Sequence, residues 1–413
     1  MNQRLAAFDF ITECIGIRDT TDINNTLHST VISGHLDWPT ILAITNANKI
    51  APTLWVALRK RKLVEYLPNE IRQHLFNIYL LNLLKNRDFI EQTIEVVRLL
   101  NSVGIKPILL KGSVSLFVKT FDDPGSRMMV DLDILVPKKS AEECWNTLGV
   151  LGYLPIEDRP DLSIDYQGTH HHLRPLYHQR KYGTIELHKD ALPTSAARIL
   201  PTRLIWERAE AIINQSGIVM SAPSPTHRVL HNLLHSDLIN KNHVRGRISL
   251  RSLHELAMMQ NLYQERIDWE TIWQLMDKGS QAKILRSSLY LTNRLFGSPI
   301  PDQIDPTLSS AIHCARTRLQ VHWNWLDQFV ERAFWFTTEN ICERYHCKDR
   351  FWPVAKGRVR LAAHLSCKYT SRAFNWTFNW IKRNLYSLYS SSIIIAVNLN
   401  QGLEWHSIIK ISS

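Results

Sequence analysis

Long apolar runs are what this chain most plainly lacks. No stretch approaches the roughly 18–20 apolar residues that a membrane helix needs. The best candidate, "SSIIIAVNL" near the C-terminus, is far too short. The opening residues, "MNQRLAAFDFITECIG", set Asp9 and Glu13 among their apolar side chains and lack a signal-peptide core, so a cytoplasmic protein without a membrane span is expected. Cysteine is also sparse. Cys14, Cys144, Cys314, Cys342, Cys347 and Cys367 are scattered through 413 positions, which argues against a disulfide framework and predicts reduced thiols. Acidic residues are nearly missing from one region: between Arg344 and Arg383 the sole example is Asp349.

The remaining composition is that of a globular protein. Apolar residues make up 45% and charged residues 21%, unlike a disordered or fibrous chain. The length allows two or three packed units, each with its own core. A net charge of +11 favours polyanionic partners, because such a field draws phosphates and nucleic acid.

Periodicity divides the chain into four segments. Residues 1–103 read as helical, with three-and-four apolar spacing in "DWPTILAITNANKIAPTLWVALRKRKL" and in a long helix set between Pro68 and Gly104. Residues 104–192 interleave strands and helices and form the core. There "KPILLKG" reads as a strand stopped by Gly112, "SVSLFVKTF" as a helix and "RMMVDLDILVP" as a second strand. "KKSAEECWNTLGVLGY" reads as a helix with a Ser140/Glu143 capping box. "HHHLRPLYHQ" and "YGTIELH" read as an antiparallel pair turning near Arg180–Lys181. Residues 193–300 return to helices, and residues 301–413 form a basic, aromatic helical region, a separate unit or an appended arm. The expected fold class is α+β: a small mixed sheet with flanking helices, embedded in helical N- and C-terminal segments. "LDWPTIL" (36–42) and "IDWETIW" (267–273) resemble each other, although Asp-Trp before a helix is also an ordinary N-cap with an anchoring aromatic.

The core segment carries the chemistry. Asp131 and Asp133 alternate with Leu132, Ile134 and Val136, so a strand puts both carboxylates on one face. Like charges so close need a counter-charge, and a divalent cation supplies one efficiently. Glu186 shares a face with Thr184 and His188, and becomes a third carboxylate there if the two strands adjoin. Three hard oxygen donors with room for substrate phosphates suit Mg²⁺. Gly112 lets backbone approach a phosphate closely, and Ser113 adds a hydroxyl at the start of a helix. Lys111 and Arg127 bring positive charge suited to triphosphate oxygens; a solvated charge beside a turn explains each equally well.

The histidines and the tail carry weaker signals. Of His170, His171 and His172, only the first and last share a strand face, and surface or hydrogen-bonded roles outweigh zinc. His188, beside Glu186, divides evenly between contact with the site and a structural role. His227, His231 and His235 recur every four residues beside a leucine stripe; polar residues bordering a packed face is the simpler reading, metal ligands or an acceptor-pocket wall the alternatives. Cys342, Cys347, His364 and Cys367 imitate a zinc site only loosely. Arg372, Phe374, Trp376, Phe378, Trp380, Lys382 and Arg383 have a composition that binds single-stranded nucleic acid, and that more often belongs to an amphipathic helix.

Taken together, "LLKGS…GSRMMVDLDILV…TIELH" resembles the nucleotidyltransferase fold of the DNA polymerase β superfamily: a Gly-Ser turn, an Asp-x-Asp strand and a later strand with one more acid. More narrowly, with the flanking Asp-Trp helices, it looks like an uncharacterised bacterial nucleotidyltransferase family over about residues 30–280. The interval between Gly-Ser and Asp-x-Asp is longer than in the wider superfamily. The resemblance implies Asp131 and Asp133 as ligands of two Mg²⁺ ions, with Mn²⁺ an alternative, Glu186 as the third acid, and Gly112 and Ser113 holding the triphosphate. It implies transfer of a nucleoside monophosphate from an NTP to an acceptor hydroxyl or amine, with metal ions roughly 3.5–4 Å apart and Glu186 as an alternative base. Two rivals stand beside it: a catalytically idle binder of nucleotide or nucleic acid, and a transferase acting on RNA 3′ ends or protein side chains.

Overall fold

In the computed structural model the described residues are 3–156, 170–212, 217–345 and 353–362. The chain divides into two compact units, residues 1–328 and 329–413. Cys347, His364, Cys367 and the aromatic-basic stretch 372–383 lie outside the described residues. No helix among the described residues is long and apolar enough to cross a membrane.

The larger unit opens with helices α1 (Gln3–Ile15), α2 (Thr21–Ile32), α3 (Trp38–Ala47), α4 (Ala51–Lys60) and α5 (Asn69–Ser102). The stretch from Asp37 to Leu63 makes two helices rather than one, because the chain turns at Asn48 and at Lys49, whose φ is a left-handed 56°. α5 begins at Pro68 and ends just before Gly104, as the sequence predicts.

The sheet follows: β1 (Ile108–Leu109), α6 (Lys111–Ser115), β2 (Asp131–Leu135), α7 (Ala141–Leu148), β3 (Leu154–Pro155), β4 (Leu176–Tyr177) and β5 (Thr184–His188). Short helices α8 (Thr194–Ala197) and α9 (Thr202–Glu207) lead to β6 (Glu210–Ala211) and β7 (Ser221–Ala222). The strand order is β3-β4-β5-β2-β1-β7-β6. β2 pairs parallel with β5 and antiparallel with β1, so the sheet is mixed. β4 and β5 form the expected antiparallel pair.

Two sequence expectations fail locally. The helix after the first strand is five residues long, because the chain then enters the 116–130 loop, which α5 holds. Ser140 makes no capping hydrogen bond; it ends a 3₁₀ turn with ψ of 6°, not the extended conformation an N-cap adopts.

Further helices are α10 (Pro225–Leu233), α11 (Asn242–Arg245), α12 (Leu250–Leu262), α13 (Trp269–Met276), α14 (Gly279–Phe296), α15 (Leu308–His322), α16 (Asn324–Trp335) and α17 (Thr338–Tyr345), and residues 353–362 are also helical. α10 runs into a single π turn over Leu234–Ile239. Asp37 and Asp268 each cap a helix, accepting from Thr40 N at 3.2 Å and Thr271 N at 2.9 Å. The two Asp-Trp segments are therefore matching N-caps. In the second unit, Ile341, Val354 and Leu361 form a small core.

The alternation of β2 and β5 divides the sheet into unlike faces. Leu109, Leu132, Ile134, Val136, Ile185 and Leu187 pack with Phe89, Val96 and Leu100 of α5 and with Cys144 and Leu148 of α7. On the opposite face Ile108, Leu110 and Leu135 join the core built by α10 and α12–α14. That second face also carries every candidate carboxylate.

Candidate active site

The parallel register of β2 and β5 sets Asp131 beside Thr184, Asp133 beside Glu186 and Leu135 beside His188. Asp133, Glu186 and His188 offer ligand atoms that all lie within 4.8 Å of one another, the arrangement of a possible metal site. Asp131 shares their face but not their cluster. It sits at the more exposed end of the strand, whereas Asp133 and His188 are 2% and 0% exposed.

Asp133 is tied on every side. Lys111 Nζ donates to its Oδ1 at 2.7 Å, and His188 Nε2 approaches the same oxygen at 2.9 Å. Its backbone N–H donates to Ser113 Oγ at 2.8 Å. Burial would raise the Asp133 carboxyl, but the Lys111 charge and the His188 contact override it and hold the carboxyl far below its ordinary range. Asp131 moves the other way. Burial and the neighbouring Asp133 charge raise it, with Lys111, Arg251 and Arg127 opposing. Two carboxylates on one strand are thus pushed apart in acidity by their surroundings.

The backbone solution differs from the one the sequence suggests. The left-handed residue at the strand-to-helix elbow is Lys111, with φ of 45°, not the glycine after it. Gly112 lets Arg127 lie across it: a Cβ there would stand 2.2 Å from Arg127 Nη1 and displace the guanidinium. Arg127 is fixed by its own loop. Asn82 Nδ2 donates to the carbonyls of Gly125 and Arg127 at 2.8 and 3.0 Å, and Asn86 Nδ2 to those of Pro124 and Arg127 at 2.7 and 2.9 Å.

Facing the carboxylates is a helical wall that the sequence only half discloses. Lys111, Arg127, Arg228, His231, His235, Arg251 and Glu255 line a cavity of about 80 Å³. Arg127 Nε and Nη2 donate to Glu255 Oε2 at 3.2 and 2.9 Å. Burial would raise Glu255, yet Arg127, Arg228 and Arg251 together hold it below the usual range. Three guanidiniums around one carboxylate, with Lys111 beside them, make the cavity strongly cationic. His231 and His235 are pushed down by burial to about 3 and about 4, so both are neutral at neutral pH. His227, on the same helix, does not line the cavity. His171 and His172, whose rings lie 5.3 and 5.2 Å from that of His188, fall to about 2 and about 4, again through burial first.

One buried and one partly buried carboxylate with an imidazole, hemmed in by neutral histidines, are a donor set that fits a divalent cation. A candidate metal cluster on the two central strands, beside a cationic cavity, is equipment suited to nucleoside phosphates. The match is specific: residues 34–297 fit the family described as Uncharacterised nucleotidyltransferase, and the chain belongs to that family. No curated protein matches it.

Arg251 and Glu255 escape sequence reasoning altogether. They stand four apart in "LRSLHELAMM", where Leu250, Leu253, Leu256 and Ala257 turn to the core. The available signal was an opposite-charge pair on a helix otherwise half apolar.

Proposed function

We propose that the protein transfers a nucleoside monophosphate from an NTP to an acceptor hydroxyl or amine. The observation that carries this reading is the in-register pair Asp133 and Glu186, set against the cationic wall of Lys111, Arg127 and Arg251. Asp133, Glu186 and His188 hold a divalent cation, and Asp131 serves a second from the exposed end of the strand. Two Mg²⁺ or Mn²⁺ ions bound there would lower the pKa of the acceptor and neutralise the departing pyrophosphate.

The chain's own groups do the rest. Lys111 and Arg127, with the Gly112–Ser113 backbone between them, receive the triphosphate, and Ser113 Oγ keeps its proton to donate because its lone pair already accepts from Asp133 N–H. The acceptor oxygen or nitrogen bonds to the α-phosphorus, the bridging P–O bond to the β-phosphate breaks, and pyrophosphate leaves. The acceptor proton passes to Glu186 or to solvent. Positioning and charge supply most of the acceleration, as in phosphoryl transfer generally.

One contact favours a second reading, a nucleotide binder without turnover: Lys111 already pairs Asp133 directly. The experiment that separates them is Mg²⁺-dependent release of pyrophosphate from each NTP, with and without cell extract. Wild type is compared with Asp131→Ala/Asp133→Ala. Release that requires the aspartates supports transfer, and labelled α-phosphate then leads to the acceptor, whether small molecule, RNA 3′ end or protein side chain. Nucleotide binding without release under every condition supports the binder.

A further inference from the structure

A second, larger cavity of about 450 Å³ lies on the far side of Arg251, which lines both spaces. Its walls come from α1, from the α3–α4 junction, from the start of α12 and from α15. The size is that of a small-molecule pocket. Its charge is one-sided: Arg4, Lys49, Arg247 and Arg251 against a single carboxylate, Asp327, which stands 3.7 Å from Arg247.

Arg251 gives this cavity its meaning. Its side chain is half-buried, and no hydrogen bond or ion pair to it is found among the described residues. The nearest carboxylate on its own helix, Glu255, is taken by Arg127. A guanidinium partly drawn out of water, with Glu255, Asp131 and Asp133 near enough to act on it but none bonded to it, is costly, and an anionic ligand relieves that cost. Lys49 adds a second sign of construction. It projects from a left-handed residue, φ 56°, that a side chain rarely occupies. Asn48 and Gln320, which also line the cavity, are held by the protein itself: Asn48 bonds the Ile44 carbonyl and the Leu250 N–H, and Gln320 the Arg245 carbonyl, Asp327 and Arg316.

We propose that this cavity binds the acceptor of the transfer reaction, a small molecule carrying a phosphate or carboxylate group, with Arg251 bridging acceptor and donor sites. The assignment to an acceptor rests on the transferase reading; the anion site itself does not. A base and ribose are neutral and need no such field, which separates this space from the rest of the NTP. Single-stranded nucleic acid fits poorly, because Phe8 is the only aromatic lining residue and it is buried, leaving no stacking platform.

The test is calorimetric titration of the full chain with inorganic phosphate, alone and with saturating Mg²⁺·ATP. Wild type is compared with Lys49→Ala/Arg247→Ala and with Asp133→Asn, each checked for an intact melting transition. Phosphate binding weakened by about tenfold or more in the double variant, retained in Asp133→Asn and unaffected by Mg²⁺·ATP is the expected result. Restoration by the charge-keeping pair Lys49→Arg/Arg247→Lys would support it further. No phosphate binding by wild type, or equal binding by the double variant, overturns the anion site. Competition between phosphate and Mg²⁺·ATP overturns the acceptor assignment, since the triphosphate would then occupy the cavity. Displacement of phosphate by a single-stranded RNA, sensitive to the same two substitutions, overturns the small-molecule assignment. If no NTP is turned over yet phosphate binding still depends on Lys49 and Arg247, the transferase reading fails while the anion site stands.

Discussion

Arg127 lies so close across Gly112 that a Cβ on the glycine would stand 2.2 Å from Nη1 and 2.8 Å from Cζ. The obstructing atoms are the far end of a flexible side chain, so Gly112→Ala can be accommodated by swinging the guanidinium away. Its φ is ordinary, and no backbone strain follows. The expected outcome is a stability change within about 1 kcal/mol and a loss of pyrophosphate release on the order of a hundredfold. Urea unfolding and the release assay are read side by side. Undiminished release would mean that the position of Arg127 over Gly112 is irrelevant to turnover.

Asp131 and Asp133 are expected to separate in stability although both serve the site. Removing Asp133 leaves the buried His188 and the partly buried Lys111 without their common partner. Breaking such a pair by deleting one member costs about 3–5 kcal/mol. Asp131→Ala relieves repulsion with Asp133 and is expected to be neutral within about 1 kcal/mol, or stabilising. Denaturant midpoints of the two single alanine variants test this, and equal destabilisation would refute it. Release of pyrophosphate is expected to fail in both.

The loop that delivers Arg127 is held by two buried asparagines of α5, and this gives the third prediction. Asn86→Ala leaves the carbonyls of Pro124 and Arg127 without that donor, at a cost of about 1–3 kcal/mol. Since Asn82 shares the Arg127 carbonyl, the double variant should be non-additive. Faster hydrogen exchange confined to residues 123–127, with a raised KM for the NTP, is the expected signature. Uniformly faster exchange throughout α5 would instead show that the asparagines stabilise the helix rather than the loop.

Much of the site was legible because strands obey a period of two. The alternation in "VDLDILV" and "TIELH" sufficed to place Asp131, Asp133, Glu186 and His188 on one face, and the structure pairs their strands. What the period cannot give is depth along a strand. Asp133 and Asp131 look equivalent in sequence, yet Asp133 meets Glu186 and His188 while Asp131 stands at the open end. The helical boundaries near Pro68 and Gly104 were readable from their caps, and the break at Lys49 was not, because a left-handed lysine leaves no compositional mark. Arg251 and Glu255 lie more than a hundred residues from Asp133 in sequence. Their contribution comes from packing α12 against the sheet, which no local pattern encodes.

The π turn that carries His235 to the cavity contains a buried acid, and its titration yields the last prediction. Asp237 Oδ2 accepts from Ser288 Oγ at 2.6 Å and Oδ1 from Ser236 Oγ at 3.3 Å. Burial pushes its carboxyl up from 3.8 to about 6 despite both hydroxyls. A folded-state pKa above the unfolded one means the native state binds the extra proton between those values. Asp237 therefore leaves the fold most stable below about pH 4 and withdraws stability as pH rises to about 6, after which the penalty is constant. A carboxyl displaced that far withdraws roughly 3 kcal/mol. Asp237→Asn keeps the acceptor for Ser288 and removes the titration. The variant is expected to match wild type near pH 4 and to exceed it by roughly 2–3 kcal/mol above pH 7. Other acids in the protein, Asp133 among them, change stability in the opposite sense, so the quantity to follow is the difference between the two urea midpoints from pH 4 to 8. A difference that does not change with pH would show that Asp237 titrates alike in the folded and unfolded chains, and that the fold carries its charge at neutral pH without penalty.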